Sequence, residues 1–210
     1  MPAESAEIVF PPSARAMQER FGSRAAYAKR DATGFRREIT PELDAFLREQ
    51  KSFYIATATR DGRPYIQHRG GPKGFLHVLG PTTLGFADFR GNRQYITLGN
   101  LSENPAVHLF LMDYAHQARI KIWGRARVVE GDAELNARLA DPAYPARIER
   151  AIVIEIDAWD ANCHQHIPVK LDAEDVAPEI ERLTARIAEL EAENASLRKR
   201  VELLGDANTA

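Results

Sequence analysis

Apolar and polar residues alternate with a period of two along the middle of the chain, which is typical of β-strands that bury one face. The segments predicted as strands are residues 53–59, 64–69, 75–79, 83–89, 106–112, 120–130 and 151–159. The pairs Asp61-Gly62 and Gly80-Pro81 separate the first four strands into two predicted hairpins. Six or seven strands joined by short turns predict a closed or split antiparallel barrel and not a doubly wound parallel sheet.

Four helices are predicted around these strands. An amphipathic helix is expected over residues 13–29, where apolar residues recur at helical spacing, and we expect it to lie on the barrel. A second helix spans residues 40–50 and begins at Thr40, with a proline at its first helical position. A short helix over residues 92–101 begins at Asn92, whose side chain can cap the free N–H groups. The fourth covers residues 132–139.

The composition changes beyond Pro168, and a heptad repeat begins at residue 180. Position a of the repeat holds Ile180, Ile187, Asn194 and Val201, and position d holds Leu183, Leu190, Leu197 and Leu204. β-branched residues at a with leucine at d favour a parallel two-stranded coiled coil, in which one asparagine at a fixes the register. Flanking charges agree, because Arg186 would face Glu191, and Glu193 would face Arg198, across two helices. The alternative is a C-terminal helix that packs along its own barrel.

Length and charge exclude several classes of protein. The 210 residues suggest one domain and an additional segment, so we divide the chain into an N-terminal helical segment (residues 1–39), a barrel (40–172) and a zipper helix with a short tail (173–210). No apolar run approaches the ~20 residues of a membrane helix, and the N-terminus has no apolar core, which predicts a cytoplasmic protein that binds no membrane. A net charge of −2 argues against nucleic-acid binding. Cys163 stands alone, which excludes an intrachain disulfide or a Cys-pair zinc site.

Basic residues concentrate in one stretch of this nearly neutral chain. Residues 60–94 contain six Lys or Arg against two Asp. Arg69 and Lys73 bracket a Gly-rich run, and Arg93 follows a Gly-Asn pair where a strand gives way to a helix. Guanidinium groups and helix-start N–H groups together form binding sites for phosphorylated small molecules. The pattern predicts an anion pocket, for which we favour flavin mononucleotide (FMN); the alternative is a set of solvated turn residues.

Several short motifs resemble the pyridoxamine 5′-phosphate oxidase-like family of FMN-binding split barrels. The stretches that carry the resemblance are residues 53–57, 61–69, 86–89, 91–94 and 104–107, and it extends over about residues 40–159. The resemblance implies a mainly β fold, an antiparallel split β-barrel with peripheral helices, here followed by a coiled-coil helix. It also implies a homodimer with two identical flavin sites across its interface.

Site residues follow from the resemblance by position. Those implied to contact FMN are Gln67, His68, Arg69, Lys73, Ala87, Asp88, Arg93, Gln94, Arg119 and Trp159. Among them, Arg93 and Gln94 would bind the phosphate, and Arg119 would reach in from the second subunit. Gln67 and Gln94 replace an Arg and a Lys that are common in the family, and Arg69 and Lys73 would restore the charge.

The segment after the last predicted strand carries the candidate catalytic residues. His164 and His166 could donate a proton to reduced flavin or to the substrate, because the pKa of histidine lies near neutrality. The segment is alternatively a surface linker, or a metal site of Cys163 with the two histidines, although three near-adjacent residues satisfy tetrahedral geometry poorly. Pro72 stands near the position where true vitamin B6 oxidases hold the substrate phosphate with a Lys, so we expect a different small-molecule substrate.

Three functions are compatible with these features. The leading hypothesis is an FMN-dependent oxidoreductase that acts by hydride transfer at flavin N5. The second is a non-catalytic flavin or haem carrier or sensor that a zipper dimerises, because fold alone does not decide function. A structural adaptor is the third, and it leaves the cations of the pocket without a role. DNA binding through the zipper is excluded, because residues 172–181 are acidic where a basic region would be required. We expect one homodimer, in which the twofold axes of barrel and parallel coiled coil coincide.

Overall fold

The computed structural model of the chain describes residues 2–161 and 164–207. It divides into two compact units, Met1–Ile167 and Pro168–Ala210. The first unit contains the strands β1 (Ser52–Ala58), β2 (Pro64–Gly70), β3 (His77–Gly80), β4 (Thr83–Phe89), β5 (Ala106–Asp113), β6 (Ala118–Val129) and β7 (Ile148–Ala161). Its helices are α1 (Pro2–Val9), α2 (Pro12–Arg20), α3 (Arg24–Thr33), α4 (Pro41–Glu49), α5 (Ile96–Glu103) and α6 (Ala133–Leu139). The second unit contains α7 (Ala173–Ala207).

The strands form one antiparallel seven-stranded sheet in the order β2-β1-β5-β6-β7-β4-β3. In the described part of the chain, β2 and β3 are its two edges and make no ladder with each other, so the barrel stays open on that side. This arrangement confirms the predicted split antiparallel barrel. The first hairpin is regular, with Ser52 opposite Gly70 and Ala58 opposite Pro64.

Alternation along the strands places one apolar set in the barrel interior. Residues Phe53 and Ile55 of β1 are buried, whereas Tyr54 between them is 40% exposed on the other face. The ring of Phe53 stacks on Phe75 at 5.4 Å and meets Phe86 edge-on at 5.2 Å. These aromatic pairs add about 0.5–1.5 kcal/mol each to the energy of burial.

Helix α4 has the predicted start and closes part of this core. The Thr40 hydroxyl accepts a hydrogen bond from the backbone N–H of Leu43, and Pro41 occupies the first turn. Leu43 and Leu47 follow at helical spacing and are fully buried. A smaller apolar cluster lies under α6, at the start of which the Asp132 side chain accepts from the N–H of Leu135.

Two helix predictions were wrong in their bounds. The helix predicted over residues 13–29 is broken into α2 and α3, because Gly22 adopts a left-handed φ of 74° between them. Neither α2 nor α3 contains a buried residue. Helix α5 begins at Ile96 instead of Asn92, because Arg93 and Tyr95 have left-handed φ angles of 61° and 56°. Helix α1 had no counterpart in the sequence prediction.

Helix α7 extends through the whole predicted heptad repeat. Its apolar seam is exposed in the single chain, from 42% at Leu190 to 68% at Val201. Arg186, expected to pair between helices, here contacts Glu189 of its own helix at 2.9 Å. Among the described residues, no helix has the length and apolar content to cross a membrane.

A close approach between β6 and β7 at Gly124 generates a stability prediction. A Cβ on Gly124 would lie 2.4 Å from the backbone oxygen of Glu155, at a bulge in the β6–β7 ladder. We expect Gly124→Ala to lower the free energy of unfolding by about 1–3 kcal/mol, because the backbone of β7 must shift. The matched control is Gly99→Ala inside α5, where a Cβ meets nothing within 4 Å.

This control should raise the free energy of unfolding by about 0.5–1 kcal/mol, since alanine favours the helix. Urea denaturation of the two variants measures both effects. A Gly124→Ala protein with the wild-type midpoint would show that the two strands are not in this close contact.

Candidate functional site

A polar cleft opens where β2, the end of β4 and the start of β7 meet the turn before α5. The residues that line it are Tyr65, Gln67, Arg69, Asp88, Phe89, residues 91–98, Glu149 and Arg150. Three arginines among them face one aspartate and one glutamate, so the lining carries excess positive charge. Such a lining favours an anionic ligand.

The turn between β4 and α5 brings Arg93 to the cleft. Arg93 and Tyr95 both have left-handed backbone conformations, which cost of order 1–3 kcal/mol each for residues other than glycine. Two hydrogen bonds support the turn: Arg93 Nε donates to the Tyr95 hydroxyl at 2.9 Å, and the backbone N–H of Gln94 donates to Asn92 at 3.2 Å. The strained turn therefore presents the exposed Arg93 guanidinium in a defined place. Its bond to Tyr95 raises the pKa of Arg93, which stays charged at any physiological pH.

A buried carboxylate joins two further arginines. The Asp88 side chain is 8% exposed, and it accepts from Arg69 at 2.7 Å and from Arg150 at 3.0 Å. Asp88 lies on β4 and Arg69 on β2, which are not neighbours in the sheet, so this ion pair crosses the open side of the barrel. The Arg69 guanidinium also lies 5.9 Å from the centre of the Phe86 ring, and its buried Nε has no hydrogen-bond partner in the described chain.

Arg150 has carboxylates on all of its nitrogens. Nη1 contacts Asp88, Nε donates to Glu130 at 3.1 Å, and Nη2 lies 3.4 Å from Glu149. Its guanidinium carbon lies 5.6 Å from the centre of the Tyr95 ring. Burial alone would lower the pKa of Arg150, but the hydrogen bond and charge of Asp88, with Glu149 and Glu130, raise it. Arg150 is therefore a permanent, fully paired cation.

Hydrogen bonds between neutral side chains attach α5 to the barrel. The Thr97 hydroxyl donates to Gln67 Oε1 at 2.7 Å, which links α5 to β2. One turn later, the buried Asn100 amide donates to the Thr57 hydroxyl at 2.9 Å. These two bonds fix the floor of the cleft against β1 and β2.

Half of the predicted cofactor residues line this cleft. They are Gln67, Arg69, Asp88, Arg93 and Gln94.

Three other predicted residues lie nearby but face elsewhere. His68 lies on the opposite face of β2 from its neighbours and packs edge-on against Tyr54 at 5.6 Å. The Ala87 side chain is buried in the cluster under α6. Lys73 is in the loop after β2 and pairs with Glu49 at 2.5 Å.

The last four predicted residues do not line the cleft. Arg119 is the second residue of β6, and Trp159 is near the end of β7, nine positions along the strand from Arg150. The Trp159 indole donates to the backbone oxygen of Glu38 at 2.9 Å, so it holds the segment before α4. His164 and His166 follow β7 and are exposed, and Cys163 lies outside the described residues.

Sequence reasoning missed Arg150, Glu149, Tyr95 and Thr97. The last strand was predicted to begin at residue 151, whereas β7 begins at Ile148 and pairs Arg150 directly with Asp88. Opposite charges at facing positions of two strands are a signal that the sequence contained. It could be used only once the register of β4 with β7 was known.

Comparison with known proteins bears on the family and the fold. The family model described as pyridoxamine 5′-phosphate oxidase matches residues 39–163, which is more than half of the chain. Comparison with curated proteins finds no match.

Several solved structures are similar to this chain at low sequence identity. A putative pyridoxamine 5′-phosphate oxidase from Lactobacillus delbrueckii is 22% identical, with a TM-score of 0.46 over 60% of this chain and 95% of that one. An FMN-binding protein from Syntrophomonas wolfei is 14% identical, with a TM-score of 0.46 over 70% and 97%. The haem storage protein HutZ from Vibrio cholerae is 16% identical, with a TM-score of 0.40 over 59% and 94%. The family match agrees with the open seven-stranded barrel and covers β1 to β7: this chain belongs to the pyridoxamine 5′-phosphate oxidase family.

Proposed function

We propose that this chain is an FMN-dependent oxidoreductase that acts on a small molecule other than pyridoxamine phosphate. The main observation behind this proposal is a cleft, in a barrel of this family, that is lined by more arginines than carboxylates. A phosphate monoester brings close to two negative charges, and its burial requires fixed donors. Arg93 on its strained turn and Arg69, both in the lining of the cleft, supply donors of that kind.

The chain's own residues bind and orient the cofactor in this proposal. Arg93 and Gln94 would hold the phosphate, and Arg69 with Gln67 would lie along the more polar part of the molecule. When bound, FMN supplies hydride transfer at its N5. The cations of the cleft favour negative charge nearby, because donors fixed before the reaction need no reorganisation.

Direct measurement of flavin binding tests this function. We expect the protein to bind FMN and to quench its fluorescence. We also expect NADH, NADPH or a substrate to reduce the bound FMN faster than free FMN. Arg93→Ala should weaken FMN binding by roughly tenfold or more, since a charge-assisted hydrogen bond contributes ~1.5–3 kcal/mol. The matched control is Arg63→Ala, whose guanidinium is 83% exposed in the hairpin turn and pairs only with Asp61 among the contacts described. Failure of the wild-type protein to bind FMN would refute the proposal.

A non-catalytic flavin or haem carrier is the second candidate. The observation that favours it is the position of His164 and His166, which are exposed at the far end of β7 from the cleft. A carrier needs the anion site but no proton donor. Bound flavin that no electron donor reduces faster than free flavin would favour this candidate.

We further propose that a homodimer completes the site. In one chain, Arg119 does not line the cleft, so we assign it to the cleft of a second copy. The outer face of β1 and β2 offers an apolar surface for the barrel interface, because Tyr54 and Ile66 are 40% and 62% exposed. A twofold operation would then generate two equal sites from two copies of each residue.

Complementation between two inactive subunits tests the shared site. Arg93→Ala and Arg119→Ala homodimers should each bind FMN weakly. After unfolding and refolding of a 1:1 mixture, half of the dimers are mixed and each has one intact site, so roughly a quarter of all sites should regain wild-type affinity. A mixture that never exceeds the two parents would exclude a site shared in this way. Refolded wild type and refolded single variants serve as controls.

Coiled-coil pairing of α7 is the second contact of the proposed homodimer. Truncation after Leu171 removes the exposed apolar seam, so the truncated protein should dissociate at higher concentration than the full chain, while FMN binding persists in the dimer. Sedimentation over a concentration series measures both midpoints. An unchanged midpoint would contradict a dimerising zipper, and loss of a tetramer on truncation would indicate an antiparallel coil that links dimers.

A further inference from the structure

A continuous chain of contacts links the two cations that the proposed function uses. Starting from β2, it runs from Arg69 to Asp88, then to Arg150, to Tyr95 and to Arg93. We call these five residues the arginine cluster. Its members come from β2, β4, β7 and the turn before α5, so no local sequence segment holds it together.

The three arginines of the cluster have unequal freedom to bind a ligand. Arg150 is 12% exposed, and its three nitrogens contact Glu130, Asp88 and Glu149. The contacts described for Arg93 are to Tyr95 alone, through Nε and the ring, so its Nη groups point to no described acceptor.

Arg69 is intermediate between these two. It donates to Asp88 through Nη1, its unpartnered Nε is buried, and no contact is described for its Nη2. Arg69 and Arg93 are therefore suited to hold an anion, whereas Arg150 is already saturated with carboxylates.

Resting on the proposed function, we propose that Arg150 is a positioning residue that sets both anion-binding arginines. It fixes Asp88, which orients Arg69 across the open side of the barrel. Arg150 also contacts the Tyr95 ring, and so positions the Tyr95 hydroxyl that accepts the hydrogen bond from Arg93 Nε. Binding of the FMN phosphate thus depends on Arg150, although Arg150 does not contact the phosphate itself.

Charge explains why an arginine occupies this central place. Asp88, Glu130 and Glu149 form an acidic group that would repel a phosphate if left uncompensated. A planar guanidinium contacts all three carboxylates and still presents a face to an aromatic ring, which a lysine ammonium does not do equally well. Arg150 therefore both neutralises the acidic group and braces the turn.

Two ligands that differ only in the phosphate test the role of Arg150. FMN and riboflavin are titrated by flavin fluorescence against wild type and Arg150→Met. We expect the Kd for FMN to rise roughly tenfold or more, and the Kd for riboflavin to stay within about twofold, because only FMN uses the positioned arginines. The control is Arg125→Met, which removes an exposed ion pair to Asp157 at 3.1 Å between β6 and β7 and should leave both Kd values unchanged. Equal losses for FMN and riboflavin would overturn the positioning role.

A double-mutant cycle separates positioning from direct contact. In an Arg93→Ala background, Arg150→Met should weaken FMN binding by a smaller factor than in wild type, because one of the two residues that it positions is gone. Independent, additive losses would mean that Arg150 acts as a ligand itself, and would overturn the inference.

Tyr95→Phe is the milder second variant, should Arg150→Met fail to fold. It keeps the ring beneath Arg150 and removes only the hydroxyl. We expect a selective loss of FMN affinity of ~3–10-fold that disappears when Arg93 is already alanine. Tyr95→Phe with wild-type FMN affinity would overturn the inference.

A wild-type protein that binds neither flavin would refute the proposed function but not decide the inference. Inorganic pyrophosphate then replaces the flavins, with thermal denaturation as the readout. A stabilising shift in wild type that Arg150→Met and Tyr95→Phe both reduce would support the positioning role. No shift in wild type, or an equal shift in all three proteins, would overturn it.

Discussion

The buried Asp88 carboxylate and its two arginines form the constraint on which the rest of the site depends. Backbone ladders hold six of the seven strand junctions that a closed barrel would need, and β2 and β3 are left as open edges. Side chains make the contacts at the seventh junction. Arg69 on β2 contacts Asp88 on β4 at 2.7 Å, and Arg150 on β7 contacts the same carboxylate at 3.0 Å. The cleft exists because this side is closed by long side chains and not by a strand.

Charged side chains at the open side of the barrel have a consequence that apolar side chains there would lack. Taking charges out of water costs several kcal/mol per ion, and apolar side chains of similar volume often stabilise a protein at least as well. Stability alone therefore does not account for three buried charges at the open side. The charged solution leaves Arg69 with an unpartnered Nε and places Arg150 against the ring of Tyr95, whose hydroxyl accepts from Arg93. The same set of contacts therefore closes the barrel and positions the arginine side chains in the cleft.

The sequence predicted the local features of this arrangement better than the distant ones. The predicted bounds of β4 were exact, because alternation and flanking turns are local signals. The sequence also placed Asp88, Arg69 and Arg93 in one site. The same alternation could have excluded the His68 and Ala87 side chains, which lie one position away from residues that line the cleft and therefore face the opposite side. Arg150 could not be found locally, because its partner is 62 positions away in the chain. The left-handed turn at Arg93 and Tyr95 was also beyond prediction, since ordinary residues seldom adopt that conformation.

The residues that do not line the cleft bear on assembly. Neither Arg119 nor Trp159 is among the lining residues, but they are not equivalent. Trp159 already serves its own chain, because its indole donates to the Glu38 backbone oxygen and Arg36 lies over its ring. Arg119 has no such tie among the contacts described, so it is the better candidate for a cleft in a second copy. Since Arg119 does not line the cleft of its own chain, our proposal assigns any role at the phosphate to the Arg119 of a second subunit.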